Sequence, residues 1–104
     1  MNNIEFKPLK TIPNRYYIIH ESEAKGIIEF KNENEYIEID YIKVYEEYRR
    51  MGIGTQVINF IKNKYPNKVI YGDSLPEAID FWTSFGVEFG EKMEGGITTP
   101  FRLI

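Results

Sequence analysis

Apolar and polar residues interleave in three successive runs over the first half of the chain. Arg15 to His20 and Gly26 to Lys31 are dense in Ile, Tyr and Phe, and the polar stretch Glu21 to Lys25 joins them. A second polar turn, Asn32 to Glu35, leads into Tyr36 to Val44, the longest run and rich in Ile, Tyr and Val. Runs of β-branched and aromatic residues cut by short polar connections predict three strands in an antiparallel meander. The first dozen residues are weakly patterned, and Pro8 and Pro13 interrupt them.

After Val44 the period changes. Tyr45 to Met51 is charged, and Gly52-Ile53-Gly54 then opens a segment in which Ile53, Val57, Phe60 and Ile61 share one face. Asn59, Lys62 and Asn63 take the other face, which is a helical period, and Pro66 closes the helix. Lys68 to Tyr71 reads as a short strand. Ser74 stands where a second helix would be capped, with Pro76 in the first turn and Glu77 at the positive end. Ala78, Ile79, Trp82 and Phe85 supply its apolar stripe, and Gly86 stops it. Val87 to Phe89 and Thr98 to Leu103 finish as strands, split by a Gly95-Gly96 turn. With no repeat, low-complexity tract or linker, residues 1–104 read as a single α/β domain. Its predicted order is β-β-β-α-β-α-β-β, a mixed, mostly antiparallel sheet flanked by two helices.

Composition narrows the function. A chain of 104 residues hides roughly 60–65% of its unfolded surface, enough for one core without staples. There is no cysteine, which removes disulfides, zinc-thiolate sites and Cys nucleophiles. The single histidine, His20, argues against a Ser-His-Asp triad or a multi-His metal site, so no metal is expected. A net charge of −3 speaks against a protein whose task is gripping nucleic acid. No run approaches the ~20 apolar residues of a membrane span, and Met1 to Leu9 has no apolar h-region. A cytoplasmic enzyme or small binding module is expected.

The chemistry concentrates in Arg49-Arg50-Met51-Gly52-Ile53-Gly54-Thr55, between a strong strand and a helix. Glycines there let the backbone curl closely around a ligand. The helix that follows offers free N–H groups and the positive end of its dipole, a site for phosphate. Arg49 and Arg50 add charge. A Rossmann fingerprint would need a third glycine where Val57 stands, and the Lys and Ser/Thr of a P-loop are missing.

Arg49, Gly52 and Gly54 stand as in the Arg/Gln-x-x-Gly-x-Gly/Ala acetyl-CoA motif, and the segment resembles that of the GNAT N-acetyltransferase superfamily. Downstream, Ala78-Ile79-Asp80-Phe81-Trp82-Thr83-Ser84-Phe85-Gly86-Val87 is similar to the family's second helix, Ala-x-x-Phe-Tyr-x-x-x-Gly-Phe. The resemblance covers roughly Gly26 to Ile104. It implies transfer of an acetyl group from acetyl-CoA to an amine, with the backbone of Ile42, Lys43 and Val44 on the pantetheine arm. Amides across Arg50, Met51, Gly52, Ile53, Gly54 and Thr55 would hold the pyrophosphate. Phe81 and Trp82 would border the cofactor, which would enter between the strands on either side of the first helix.

Two departures from the family pattern stand out. Trp82 replaces the Tyr that protonates the departing thiolate. The chain also lacks the N-terminal helices that wall the acceptor pocket in most relatives, since Glu21 to Lys25 is the available connection. An open acceptor side would suit a protein lysine, an N-terminus or another accessible amine. Short relatives often dimerise through late strands, which would give a homodimer through Thr98 to Ile104.

Acetyl transfer needs an uncharged nitrogen and hence a base. Glu38 lies six residues before Val44, the register of the catalytic Glu in the histone-acetylating branch of the family. By alternation Glu38, Asp40, Ile42 and Val44 share one strand face, and Ile37, Ile39 and Tyr41 the other. Glu38 is the first candidate base, Asp40 the second, and Tyr71 a candidate acid. The plainer reading makes the two carboxylates a solvated face and the tyrosine packing. A catalytically inactive CoA-binding or protein-interaction module is the alternative to an enzyme.

Overall fold

The computed structural model describes residues 3–104. Its strands are β1 (Ile4–Pro8), β2 (Arg15–His20), β3 (Glu23–Asn32), β4 (Tyr36–Val44), β5 (Val69–Ser74), β6 (Glu88–Phe89) and β7 (Thr99–Leu103). The helices are α1 (Ile53–Lys64) and α2 (Ile79–Thr83), each preceded by a 3-10 turn, Glu46–Tyr48 and Pro76–Ala78. Hydrogen-bonded neighbours follow the order β1-β2-β3-β4-β5-β7-β6 in one seven-stranded sheet. The β4–β5 pair is parallel, whereas β1–β2, β2–β3, β5–β7 and β6–β7 are antiparallel. The chain groups into two compact units, Met1–Lys31 with Asp40–Pro66 and Asn32–Ile39 with Asn67–Ile104, so that β4 contributes to both.

In the first unit β1 is a strand the local pattern does not announce. It forms because β2 offers an unpaired edge, and because Phe6 packs its ring 5.5 Å from Phe30 and 5.3 Å from Phe60. As the last strand of the sheet it tolerates Pro8, which has no N–H to donate. The connection between β2 and β3 is tighter than the predicted five residues. Glu21 (φ 52°) and Ser22 (φ 66°) both adopt the left-handed conformation of a two-residue hairpin, and β3 begins at Glu23. The register then slips: Ile19 pairs with Ala24 and Ile18 with Gly26, which leaves Lys25 as the extra residue of a β-bulge.

Helix α1 buries Ile53, Val57, Ile58 and Ile61, each at most 2% exposed. Ile58 joins the predicted face and Phe60 sits half-buried at its border, against Phe6. Each such side chain contributes about 1.5–3 kcal/mol on leaving water. The helix ends where Tyr65 N–H donates to the Ile61 carbonyl, just before Pro66.

In the second unit Ile37, Ile39, Ile70, Trp82, Phe101 and Leu103 form the core. Gly72 is needed for close approach: a Cβ there would stand 2.5 Å from the Phe101 ring. The second helix is far shorter than its apolar stripe suggests, and Ser74 does not cap it. Ser74 is the buried last residue of β5, and its hydroxyl donates to the Leu75 carbonyl, 2.9 Å away, rather than accepting from a helical N–H. Leu75 takes the cap position of the 3-10 turn without a side-chain bond, so helicity starts at Pro76 and relaxes into the wider α2. Gly86, at φ 74°, ends the turn as expected. Among the described residues no α-helix precedes α1, and no helix is long and apolar enough to cross a membrane.

Candidate active site

Beyond Val44 the chain turns through Glu46–Tyr48 and then folds back on itself. The Arg49 Nε–H donates to the Val44 carbonyl at 3.1 Å, closing the loop at its base. Arg50 (φ 68°) and Gly52 (φ 75°) both take left-handed backbone, with exposed Met51 between them. For Arg50 that conformation costs strain, of order 1–3 kcal/mol, of the kind that collects at ligand-binding turns. For Gly52 it is free, and open space surrounds its missing side chain, so the glycine answers to backbone angle alone.

Gly52 is also the N-cap residue of α1, and no side chain caps that end. The first helical bond is Gln56 N–H to the Gly52 carbonyl at 3.0 Å. The amides of Ile53, Gly54 and Thr55 therefore have no acceptor within the helix. The first turn carries no acidic residue either, so its positive dipole end is not offset. Ile53 is buried and anchors this end, while Arg50 and Thr55 are exposed. A bare helix N-terminus behind a left-handed turn, with arginines alongside, suits a phosphate or pyrophosphate. In the strand before it Ile42 and Val44 are half-buried and Lys43 is exposed.

The other sequence candidates fall as follows. Ile37 and Ile39 are buried, as alternation requires, but Tyr41 on the same parity is 40% exposed, with the Arg15 guanidinium 5.6 Å from its ring centre. Asp40 pairs with Lys31 Nζ at 3.5 Å. Glu38, half-buried, stands opposite Tyr71 in the parallel β4–β5 ladder, whose pairs run from Tyr36↔Val69 to Ile39↔Gly72. Tyr71 in turn pairs with Arg102 on β7, and Arg102 with Glu88 on β6. One rung of the sheet thus carries Glu38, Tyr71, Arg102 and Glu88. An ion pair and hydrogen bond with Glu88, and more weakly Tyr71, raise the Arg102 guanidinium above its ordinary value.

Arg102 and Glu88 escape a sequence reading because β7 inserts between β5 and β6, a non-local event. Tyr71 is 40% exposed and meets Tyr36 edge to face at 5.7 Å. A cavity of about 360 Å³ opens beside it, lined by Glu88, Gly90, Pro100 and Arg102 among others. Trp82, 3% exposed, stacks on Phe101 with ring centres 4.2 Å apart, and Phe81 meets it edge-on at 5.0 Å. Trp82 is thereby a core residue, whereas Phe81 keeps part of its surface.

The acetyltransferase (GNAT) family matches over residues 3–87. No curated protein matches the sequence. Among solved structures, a GNAT family acetyltransferase from Elizabethkingia anophelis with acetyl-CoA bound superposes with a TM-score of 0.71 at 17% identity, over 99% of both chains. Arabidopsis thaliana Naa50, in complex with the bisubstrate analogue CoA-Ac-MVNAL, gives 0.69 at 18% identity over 85% of this chain and 70% of its own. The Bacillus subtilis N-acetyltransferase YlbP, in complex with coenzyme A, gives 0.67 at 15% identity. This chain covers 66% of that protein's length, with 86% of its own residues matched. These likenesses carry the fold, and the family match spans well over half of the sequence. The chain belongs to the GNAT acetyltransferase family.

Proposed function

We propose that this chain transfers an acetyl group from acetyl-CoA to a primary amine, by direct attack of the amine on the thioester. The observation that carries the reading is the uncapped start of α1 behind the left-handed Arg50–Gly52 turn. Family membership supports the same use of it. Amides from Arg50 to Thr55 bind the pyrophosphate, and the backbone of Ile42, Lys43 and Val44 binds the pantetheine arm. Arg49 secures the loop through the Val44 carbonyl. Phe81 offers the cofactor its uncovered surface, and Trp82 holds Phe81 in place from the core.

Glu38 takes the proton of the incoming ammonium and frees the nitrogen lone pair. The nitrogen bonds to the acetyl carbonyl carbon, the carbon–sulfur bond breaks, and Tyr71 gives its proton to the departing CoA thiolate. The phenolate is reprotonated by the second proton, which the acylated nitrogen sheds to become a neutral amide. Asp40, which pairs with Lys31, is the second base candidate. The acceptor is a protein lysine, an N-terminus or a small amine.

A second reading, a CoA-binding module without turnover, draws on Trp82, which is buried against Phe101 and has no hydroxyl to give. Calorimetric titration with acetyl-CoA, followed by thiol release with an amine panel, separates the two. Saturable binding with release that Glu38→Gln abolishes supports the enzyme; binding without release supports the module. Absence of binding to either acetyl-CoA or CoA overturns both.

A further inference from the structure

Lys25 is an anomaly in the first unit. It is 7% exposed, a depth at which lysine is found almost exclusively with partners. The β-bulge puts it there: Lys25 is the residue of β3 that the β2 ladder skips, so its side chain is re-aimed out of the alternating pattern. Its ammonium lies 4.3 Å from the ring centre of Tyr48 and 3.7 Å from a carboxylate oxygen of Glu23. The Tyr48 hydroxyl donates to the same Glu23 oxygen at 3.2 Å, closing a triangle of cation, ring and carboxylate. Tyr48 belongs to the 3-10 turn that leads into the Arg49–Thr55 loop.

Two backbone features join β3 to the same loop. The N–H of Tyr45 donates to the Lys25 carbonyl at 2.9 Å, so the bulged residue also holds the first residue past β4. Gly26 lets β3 and the end of β4 approach so closely that a Cβ would lie 2.2 Å from the Lys43 carbonyl oxygen. The segment from Lys43 to Tyr48 is thus fastened at both ends to the bulge. Neither fastening uses a residue that the proposed cofactor touches through its side chain.

We infer that Glu23, Lys25 and Tyr48 are positioning residues that hold the acetyl-CoA loop in its binding conformation before the cofactor arrives. The inference rests on the proposed function for its ligand and extends it to groups outside the loop. Preorganisation of this kind lowers the ordering cost of binding. Because the triangle meets the cofactor loop and not the reacting atoms, its loss acts on acetyl-CoA affinity and leaves the chemical step alone.

The test measures Kd and KM for acetyl-CoA, kcat at saturation, and backbone hydrogen exchange in the ligand-free chain. Tyr48→Ala and Lys25→Met should each raise Kd and KM about tenfold, the loss of roughly one desolvated cation–π contact, with kcat unchanged. Tyr48→Phe keeps the ring over the ammonium and drops the bond to Glu23, and should stay within about threefold of the native affinity. In Tyr48→Ala the amides of residues 46–55 should exchange faster, with the later amides of α1 unaffected. Tyr48 is partly exposed, so its variants report even if the buried Lys25→Met fails to fold. Native affinity and native exchange in Tyr48→Ala overturn the inference while the function stands. Failure of the native chain to bind acetyl-CoA overturns the function and this inference together.

Discussion

Glu38 on β4 and Tyr71 on β5 are direct partners in the one parallel ladder described in the sheet. Neighbouring strands lie about 4.8 Å apart, so a carboxylate and a phenol on this rung are within reach of one small substrate. The rung continues through Arg102 to Glu88. Its polar residues sit on alternate positions to buried Ile37, Ile39, Ile70, Phe101 and Leu103, which turn to the core. A carboxylate, a phenol and an Arg–Glu ion pair are therefore lined up on one sheet face by pleat geometry alone.

If Glu38 is the base, Glu38→Gln keeps its shape and removes its basicity. The expected outcome is a fall in kcat of about 10²–10⁴-fold, the usual worth of a general base, with acetyl-CoA affinity retained. Stopped-flow thiol release beside calorimetry checks it, and a variant with near-native kcat would return Glu38 to the solvated face.

Gly52 adopts φ 75° in open space, so what a side chain there costs is conformational. Gly52→Ala should lose about 1–2 kcal/mol, and Gly52→Asn less, since Asn tolerates left-handed backbone better. Urea unfolding of both variants measures the difference. If Ala and Asn cost the same, backbone angle is not the reason for glycine.

At Gly26 the argument is steric. A Cβ 2.2 Å from the Lys43 carbonyl oxygen forces backbone to move, so Gly26→Ala should destabilise by about 1–3 kcal/mol. It should also weaken acetyl-CoA binding, because the displaced strand end leads into the loop. Chemical denaturation and calorimetry on one preparation report both effects.

Trp82 anchors the second unit by stacking on Phe101. Truncation to Ala leaves a cavity and should cost about 3–5 kcal/mol, whereas Trp82→Phe keeps a ring and should cost less. Thermal unfolding ranks the pair; a Trp82→Ala variant as stable as the native chain would remove Trp82 from the core.

The Tyr48 phenol is raised above its ordinary value, chiefly by the negative charge of Glu23. A raised folded-state value means the fold favours the protonated phenol. That contribution is complete below the unfolded tyrosine range and is lost as pH rises through the folded value. The ultraviolet difference titration of native chain minus Tyr48→Phe should therefore show one late-titrating tyrosine, and Glu23→Gln should bring it earlier.

Local pattern determined a good part of this protein. The runs Arg15 to His20 and Tyr36 to Val44 are strands with those bounds, and Ile53 to Lys64 is a helix with Ile53, Val57 and Ile61 inward. These segments carry their own periodicity, and Gly52 and Pro66 mark the ends of the helix by backbone chemistry that neighbours cannot override. The glycine and arginine spacing also pointed to the family, because the groups of a single turn come from consecutive residues. Tertiary structure decided the rest. β1 exists because an open strand edge and Phe30 and Phe60 await it, not because residues 4–8 alternate. Ser74 is a plausible cap in isolation, yet β5 runs on to include and bury it, so the helix starts later and stays short. Which residues share the rung with Tyr71 depends on register between strands far apart in the chain, and the contact of Lys25 with Tyr48 depends on a bulge in the β2–β3 hairpin meeting a turn beyond β4. Register is chosen by the burial of whole faces, and no window of sequence contains that sum.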